Sequence, residues 1–136
     1  CLRSTLKPFQ CAASLEKGTD IKYNLSPKEI ATTCASHHGE KEHVNTARSI
    51  LKKINLTEDS LECGFHFPLN KENKTKLYSQ KVKHSNIYNN CSGKHSGLLA
   101  MIKNLGFKTE GYINHKHPVG TLVSLQRRCI QKIGIM

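Results

Sequence analysis

The sequence lacks tryptophan and is poor in aromatic residues, which make up 6% of its 136 residues. It has no apolar run long enough to cross a bilayer, so a membrane-spanning segment is not expected. The length allows one domain with a single core, and a hydrophobic content of 37% makes that core modest. The residues include no charged and then apolar leader, so we expect a cytoplasmic protein.

Acidic residues are also scarce, with 10 Asp and Glu against 21 Lys and Arg, and the net charge is +11. Such a charge is typical of proteins that bind nucleic acids or anionic membranes. The lysines, however, are scattered along the chain, whereas a binding surface requires a patch or a stripe. The pattern favours solvated helix faces, and neither nucleic acid nor membrane is an expected partner.

The cysteines are widely spaced along the chain. This spacing and the cytoplasmic expectation favour reduced thiols over a disulfide framework. The six residues are Cys1, Cys11, Cys34, Cys63, Cys91 and Cys129.

Apolar periodicity and capping signals predict a mainly helical chain. Ser26, Pro27 and Glu29 stand at the N-cap, first helical and capping-box positions of one helix. The predicted helices cover residues 4–17, 26–36, 39–55, 92–106 and 117–135. The remaining predictions are a helical turn over 57–62, a loop over 63–73 and a strand over 111–114.

Ser4 and Lys7 lie three residues apart at the predicted start of the first helix, where they share a face. A desolvated lysine can lose its proton near neutral pH and activate an adjacent hydroxyl as a nucleophile. The same spacing recurs in later helices, where two solvated side chains are the simpler interpretation. Spacing alone therefore leaves both interpretations open.

Cys91 and Lys94 show the same spacing in the segment "NNCSGKHSGLL". Asn89, Asn90 and Gly93 predict a tight turn into a helix, whose backbone N–H groups could bind an oxyanion. A nearby ammonium favours the thiolate, which makes Cys91 a candidate nucleophile or metal ligand. The alternative is a half-buried cysteine beside a solvated lysine.

Two Cys-x-x-His pairs suggest a different class of protein, a small basic zinc module that binds nucleic acid. Its ligands would be Cys34, His37, Cys63 and His66. The segment "ASHHGE" contains the second of these residues and crowds polar groups into one turn between predicted helices. Such loops often line functional sites, and the alternative is a simple capped turn.

In order along the chain, "RSTLKPFQ", "CASHHGEKEHV", "ECGFHFPL" and "NNCSGKHSGLLAMIKNLGFKTEGYINHKHPVG" resemble the rhizobial-type L-asparaginase II family. The likeness runs from about Arg3 to Val119. It implies an α+β fold like that of serine β-lactamases and penicillin-binding proteins, of which this chain is a mainly helical piece. Residues 1–136 would form a single incomplete domain.

The resemblance implies hydrolysis of L-asparagine to L-aspartate and ammonia, with Ser4 as the nucleophile and Lys7 as its partner. Ser36 would belong to a second pair whose lysine lies further along the family sequence. Cys91 and Lys94 would hold a zinc ion together with a cysteine further downstream. The full-length protein could form a homodimer.

The resemblance also places further residues near the substrate, and these are Arg3, His37, Gly39, Glu40, Asn90 and His95. Three positions depart from the family pattern: Leu6, His38 in place of serine, and Gly120 in place of glutamine. Because the family chain is longer, we expect these residues alone to be inactive. A truncated remnant of a decayed gene is an alternative.

Overall fold

The computed structural model describes residues 7–67, 71–80 and 83–119. Its α-helices are α1 (Lys7–Glu16), α2 (Thr19–Tyr23), α3 (Pro27–Thr33), α4 (Lys41–Lys53), α5 (Lys71–Ser79) and α6 (Ser92–Asn104). Short 3-10 helices lie at Glu58–Ser60 and Asn86–Tyr88. The expectation of a mainly helical piece is confirmed for these ranges, which contain no strand.

The predicted start of α3 is confirmed in detail. The Ser26 hydroxyl accepts the backbone N–H of Glu29 at 3.2 Å, and the Glu29 carboxylate accepts the N–H of Ser26 at 2.6 Å. These reciprocal bonds form a capping box, and Pro27 occupies the first helical position, where no N–H is needed. The helix therefore begins where its sequence predicts.

The core lies mainly between α4 and α6, which pack against each other. The apolar face that the sequence predicts on α4 is buried, and it consists of Val44, Ala47, Ile50, Leu51 and the following Ile54. From α6, Leu99, Ala100, Met101 and Ile102 join the same cluster. The helical period thus identified the face of α4 that the core covers.

Two glycines allow α3 to approach α6 closely. A Cβ atom at Gly93 would lie 2.6 Å from the backbone oxygen of Thr32, and one at Gly97 would lie 2.5 Å from Cγ2 of Thr33. Real Cβ atoms essentially never come so close to another heavy atom. Gly93 therefore lies within α6 as a contact residue, and the tight turn predicted around it comes before it, at Asn89–Cys91.

Some sequence predictions are wrong. Residues 111–114 form a turn rather than a strand, and the predicted loop over 63–73 ends in the first turn of α5. The short α2 was not predicted, because Gly18 appeared to end helical structure there. The last predicted helix lies almost entirely outside the described residues. Within the described ranges, no helix has the length and apolarity that a membrane span requires.

Candidate active site

Lys7 and Ser36 are in direct contact. The Lys7 amine donates a hydrogen bond to the Ser36 hydroxyl from the first residue of α1, and its side chain is only 3% exposed. Ser36 is an exposed residue of the loop that joins α3 to α4. The sequence prediction assigned Ser36 a lysine further downstream, and in the structure Lys7 contacts it. Arg3 and Ser4 lie outside the described residues.

His37 anchors the loop that carries Ser36. Its Nδ1 accepts the backbone N–H of Gly39 at 3.1 Å, so the ring proton resides on Nε2. Nε2 lies 2.7 Å from the Ser92 hydroxyl oxygen and donates to it. The backbone N–H of His37 donates to the Asn90 carbonyl at 3.1 Å. Both ring nitrogens and the backbone thus fix this loop against the start of α6.

The His37 ring is held neutral by its surroundings. Burial, with smaller contributions from the nearby His43 and Lys7, lowers its pKa to about 4. The His43 ring stacks on it with the centroids 5.5 Å apart. At neutral pH the ring therefore donates through Nε2 without carrying a positive charge.

The turn before α6 is held by the side chain of Asn89, which is buried. Its Nδ2 donates to the carbonyl oxygens of Cys63 and Gly64 at 2.9 and 3.0 Å. Its Oδ1 accepts the backbone N–H of Cys91 at 2.8 Å. The amide ties the start of α6 to residues 63–64. The sequence pattern predicts Asn89 only as a residue of the turn.

His66 holds the neighbouring Asn90. Its Nδ1 lies 2.9 Å from the Phe67 carbonyl oxygen, and its Nε2 accepts the backbone N–H of Asn90 at 3.2 Å. Both nitrogens of His66 are therefore engaged by the protein itself. Because the nitrogens of His37 are engaged as well, the zinc module with four Cys and His ligands has no support.

His95 forms a second contact with the buried Tyr112, in which His95 Nδ1 lies 2.7 Å from the Tyr112 hydroxyl oxygen. That oxygen also accepts the N–H of Glu62 at 2.9 Å. Burial lowers the pKa of His95 to about 3, and the charges of Lys94 and Lys7 add to this effect. Lys7 therefore acts on both His37 and His95, which places the predicted catalytic and α6 residues in one electrostatic environment.

Cys91 and Lys94 flank the first turn of α6, with Cys91 at its N-cap and both residues half-buried. Burial raises the pKa of the Cys63 thiol to about 11; Cys91 adds to that increase and Lys94 opposes it. The two predicted zinc ligands therefore lie near each other and near a third thiol. A thiolate and a neutral amine are chemically suited to zinc.

The described ranges contain no group of three or more His, Cys, Asp or Glu that could hold a metal ion. Cys91 and Lys94 fit zinc as two ligands of a set, not as a complete site.

Glu40, another predicted substrate residue, is exposed at the N-cap of α4, and its Oε2 lies 3.8 Å from His43 Nδ1.

Comparison with known proteins identifies the family. The sequence model of the L-asparaginase II family matches residues 1–132, which is nearly the whole chain. The chain therefore belongs to this family, as the motifs in its sequence predicted. Membership indicates an asparaginase-type hydrolase that acts on a small molecule. A search of curated proteins found no match.

Proposed function

We propose that the chain carries the catalytic residues of an L-asparagine amidohydrolase that uses a serine and a lysine. The observation that supports this most is the contact between the buried amine of Lys7 and the hydroxyl of Ser36. The family match supplies the class of reaction. A lysine removed from solvent beside a hydroxyl is an arrangement that activates serine nucleophiles.

In the proposed reaction, the neutral amine of Lys7 accepts the proton of the Ser4 hydroxyl. The Ser4 oxygen attacks the side-chain amide carbon of L-asparagine, and the proton passes to the departing nitrogen, which leaves as ammonia. Water then hydrolyses the aspartyl ester and releases L-aspartate. Ser36, which accepts the Lys7 hydrogen bond, relays the proton between the amine and the substrate.

The surrounding residues position these groups. The hydrogen bonds of His37 to Ser92 and Gly39 fix the loop that carries Ser36. A neutral His37 adds no positive charge beside Lys7.

The residues at the start of α6 complete the proposed site. Asn90 and His95 would contact the substrate, together with Arg3, Gly39 and Glu40. Cys91 and Lys94 would hold a zinc ion, which when bound supplies positive charge that orients the amide. The resemblance implies a third ligand, a cysteine that lies further along the family sequence.

The test is covalent labelling, because it does not require turnover. An L-asparagine analogue with an electrophilic diazoketone in place of the amide is incubated with the chain, and the adduct is located by peptide mass spectrometry. We expect one adduct on Ser4, protected by excess L-asparagine and lost in Lys7→Met. Lys17→Met, at an exposed position in the turn after α1, is the matched control and should label normally. An adduct on cysteine alone, insensitive to L-asparagine, would contradict the proposal.

A further inference from the structure

A pair of thiols lies beside the proposed site without a part in it. Cys11 on α1 is 7% exposed, whereas Cys34, directly after α3, is half-buried. The Thr33 hydroxyl oxygen lies 3.3 Å from Cys11 Sγ and 3.9 Å from Cys34 Sγ, so both sulfur atoms surround one oxygen. The Cys34 thiol is also close enough to Cys11 to raise the pKa of the Cys11 thiol. Both are reduced in the structure.

The two thiols differ in their surroundings. Burial, with a smaller contribution from the neighbouring Cys34, raises the pKa of Cys11 to about 11. Cys11 therefore remains a thiol at neutral pH, whereas Cys34 is accessible from solvent. An accessible thiol next to a second, buried thiol is the arrangement in which one cysteine is oxidised and the other resolves it.

We propose that Cys11 and Cys34 form a peroxide-sensitive dithiol whose oxidation joins α1 to the end of α3 by a disulfide bond. The proximity of the two sulfur atoms supports this pairing among the four cysteines that the structure describes. The bond needs only the reduced thiols and a peroxide, so it is independent of the asparaginase activity.

The chemistry balances in two steps. The Cys34 thiolate attacks one oxygen of hydrogen peroxide, the O–O bond breaks, and hydroxide leaves, which gives a sulfenic acid on Cys34. Cys11 sulfur then attacks the Cys34 sulfur, the S–OH bond breaks, and the Cys11 proton leaves with the hydroxyl group as water. In total, two thiols and one peroxide give one disulfide and two waters.

The position of the bond connects it to the proposed site. Cys11 lies one helical turn after Lys7 on α1, and Cys34 lies two residues before Ser36. A disulfide would therefore constrain the two segments whose side chains meet in the Lys7–Ser36 contact. Any effect on catalysis rests on the proposed function, whereas formation of the bond does not.

The experiment treats the folded, reduced chain with stoichiometric hydrogen peroxide, alkylates the remaining thiols, and maps the digest by mass spectrometry. We expect a linked Cys11–Cys34 peptide to predominate. Its mass should be that of the two reduced peptides minus two hydrogen atoms, neither cysteine should carry an alkyl group, and dithiothreitol should reverse the link. Cys63→Ser, which removes a half-buried thiol outside the pair, should give the same linked peptide. Full alkylation of both Cys11 and Cys34 after oxidation would overturn the proposal.

Single variants distinguish the cysteine that peroxide oxidises from the cysteine that resolves the sulfenic acid. In Cys11→Ser, Cys34 should accumulate as a sulfenic acid that a dimedone probe traps, because its resolving partner is gone. In Cys34→Ser, Cys11 should remain reduced. In denaturant, where proximity is lost, the wild-type chain should give mixed pairings. Peroxide oxidation of Cys11 in Cys34→Ser, or the same preferred pairing in denaturant, would overturn the proposal.

Discussion

The amine of Lys7 donates a hydrogen bond to the hydroxyl of Ser36, although the two residues are 29 positions apart in the chain. The contact forms because α1 and α3 pack on the same partner helix, α6, and on each other. Lys7 is the first residue of α1, and Ser36 follows the end of α3, so both lie at helix ends that meet. Helix packing therefore positions the proposed catalytic pair.

The buried Lys7 is expected to serve function rather than stability. Methionine retains the straight side chain but lacks the polar amine, which is costly to remove from water. We expect Lys7→Met to leave the free energy of unfolding within about 1 kcal/mol of wild type or to raise it. Urea denaturation measures this change, with Lys17→Met as the exposed control. A fall of more than about 2 kcal/mol would instead assign Lys7 a structural role.

The contact between α3 and α6 predicts an unusual sensitivity to alanine. Alanine normally stabilises a helix interior relative to glycine by about 0.5–1 kcal/mol. At Gly93 the new methyl group would meet a backbone oxygen, which cannot rotate away. We therefore expect Gly93→Ala to destabilise the chain by about 1–3 kcal/mol in urea denaturation.

Gly97→Ala provides the comparison, because its methyl group would meet the side chain of Thr33 rather than backbone. We expect a loss of stability here too, but a smaller one. Asn45→Ala, at an exposed position of α4, is the control and should change the unfolding midpoint little. A stabilised Gly93→Ala would show that the two helices are further apart than described.

Much of the helical architecture could be predicted from local sequence signals. The capping residues Ser26 and Glu29 and the apolar face of α4 are properties of short segments, and the structure contains both. Gly93 was assigned to the turn because the local sequence does not distinguish a glycine that forms a turn from one that allows two helices to come close. Only the position of Thr32 in space distinguishes the two roles.

The candidate site was predictable as a set of residues but not as a set of contacts. Lys7 and Ser36 were each identified from motifs, yet sequence offered no means of pairing them. The hydrogen bonds from His37 to Ser92 and from Asn90 to His66 join residues 55 and 24 positions apart. Residues so far apart in the chain show no spacing pattern that would predict their hydrogen bonds, so only the packed structure identifies them as partners.

His37 predicts a dependence of stability on acid. Its pKa in the folded chain is about 4, below the ordinary value of 6.5, so the unfolded chain binds more protons between these two values. The contribution is complete above pH 6.5 and is lost as the pH falls through 4. We expect protonation at this one residue to lower the free energy of unfolding by about 3 kcal/mol between pH 7 and pH 4. Denaturation at a series of pH values measures this change.

His37→Gln tests the assignment, because glutamine can still donate to Ser92 but has no titrating ring. The variant should show a flatter dependence on pH in this window than the wild-type chain. His38→Gln, at the exposed neighbouring position, should retain the wild-type profile. Equal profiles for wild type and His37→Gln would show that other groups produce the acid sensitivity.

Two ion pairs from α3 to α4 should differ sharply in their effect. Glu29 is 3% exposed, and its carboxylate accepts hydrogen bonds from Lys53 at 2.7 Å and Ser49 at 2.6 Å. Burial alone would raise the pKa of Glu29, but these bonds and the N–H of Ser26 outweigh it and lower the pKa. Lys28 and Glu42 form the second pair, which is exposed.

Removing the Glu29 charge leaves the partly buried Lys53 amine without its counter-ion and weakens the capping box. We expect Glu29→Gln to lower the free energy of unfolding by about 2–4 kcal/mol at pH 7. The loss should shrink as the pH falls from the ordinary carboxyl pKa through the lower pKa of folded Glu29, where the wild-type carboxylate becomes protonated as well. Glu42→Gln, the matched change in the exposed pair, should produce no measurable shift. Equal effects of the two variants would show that burial does not strengthen the Glu29 pair.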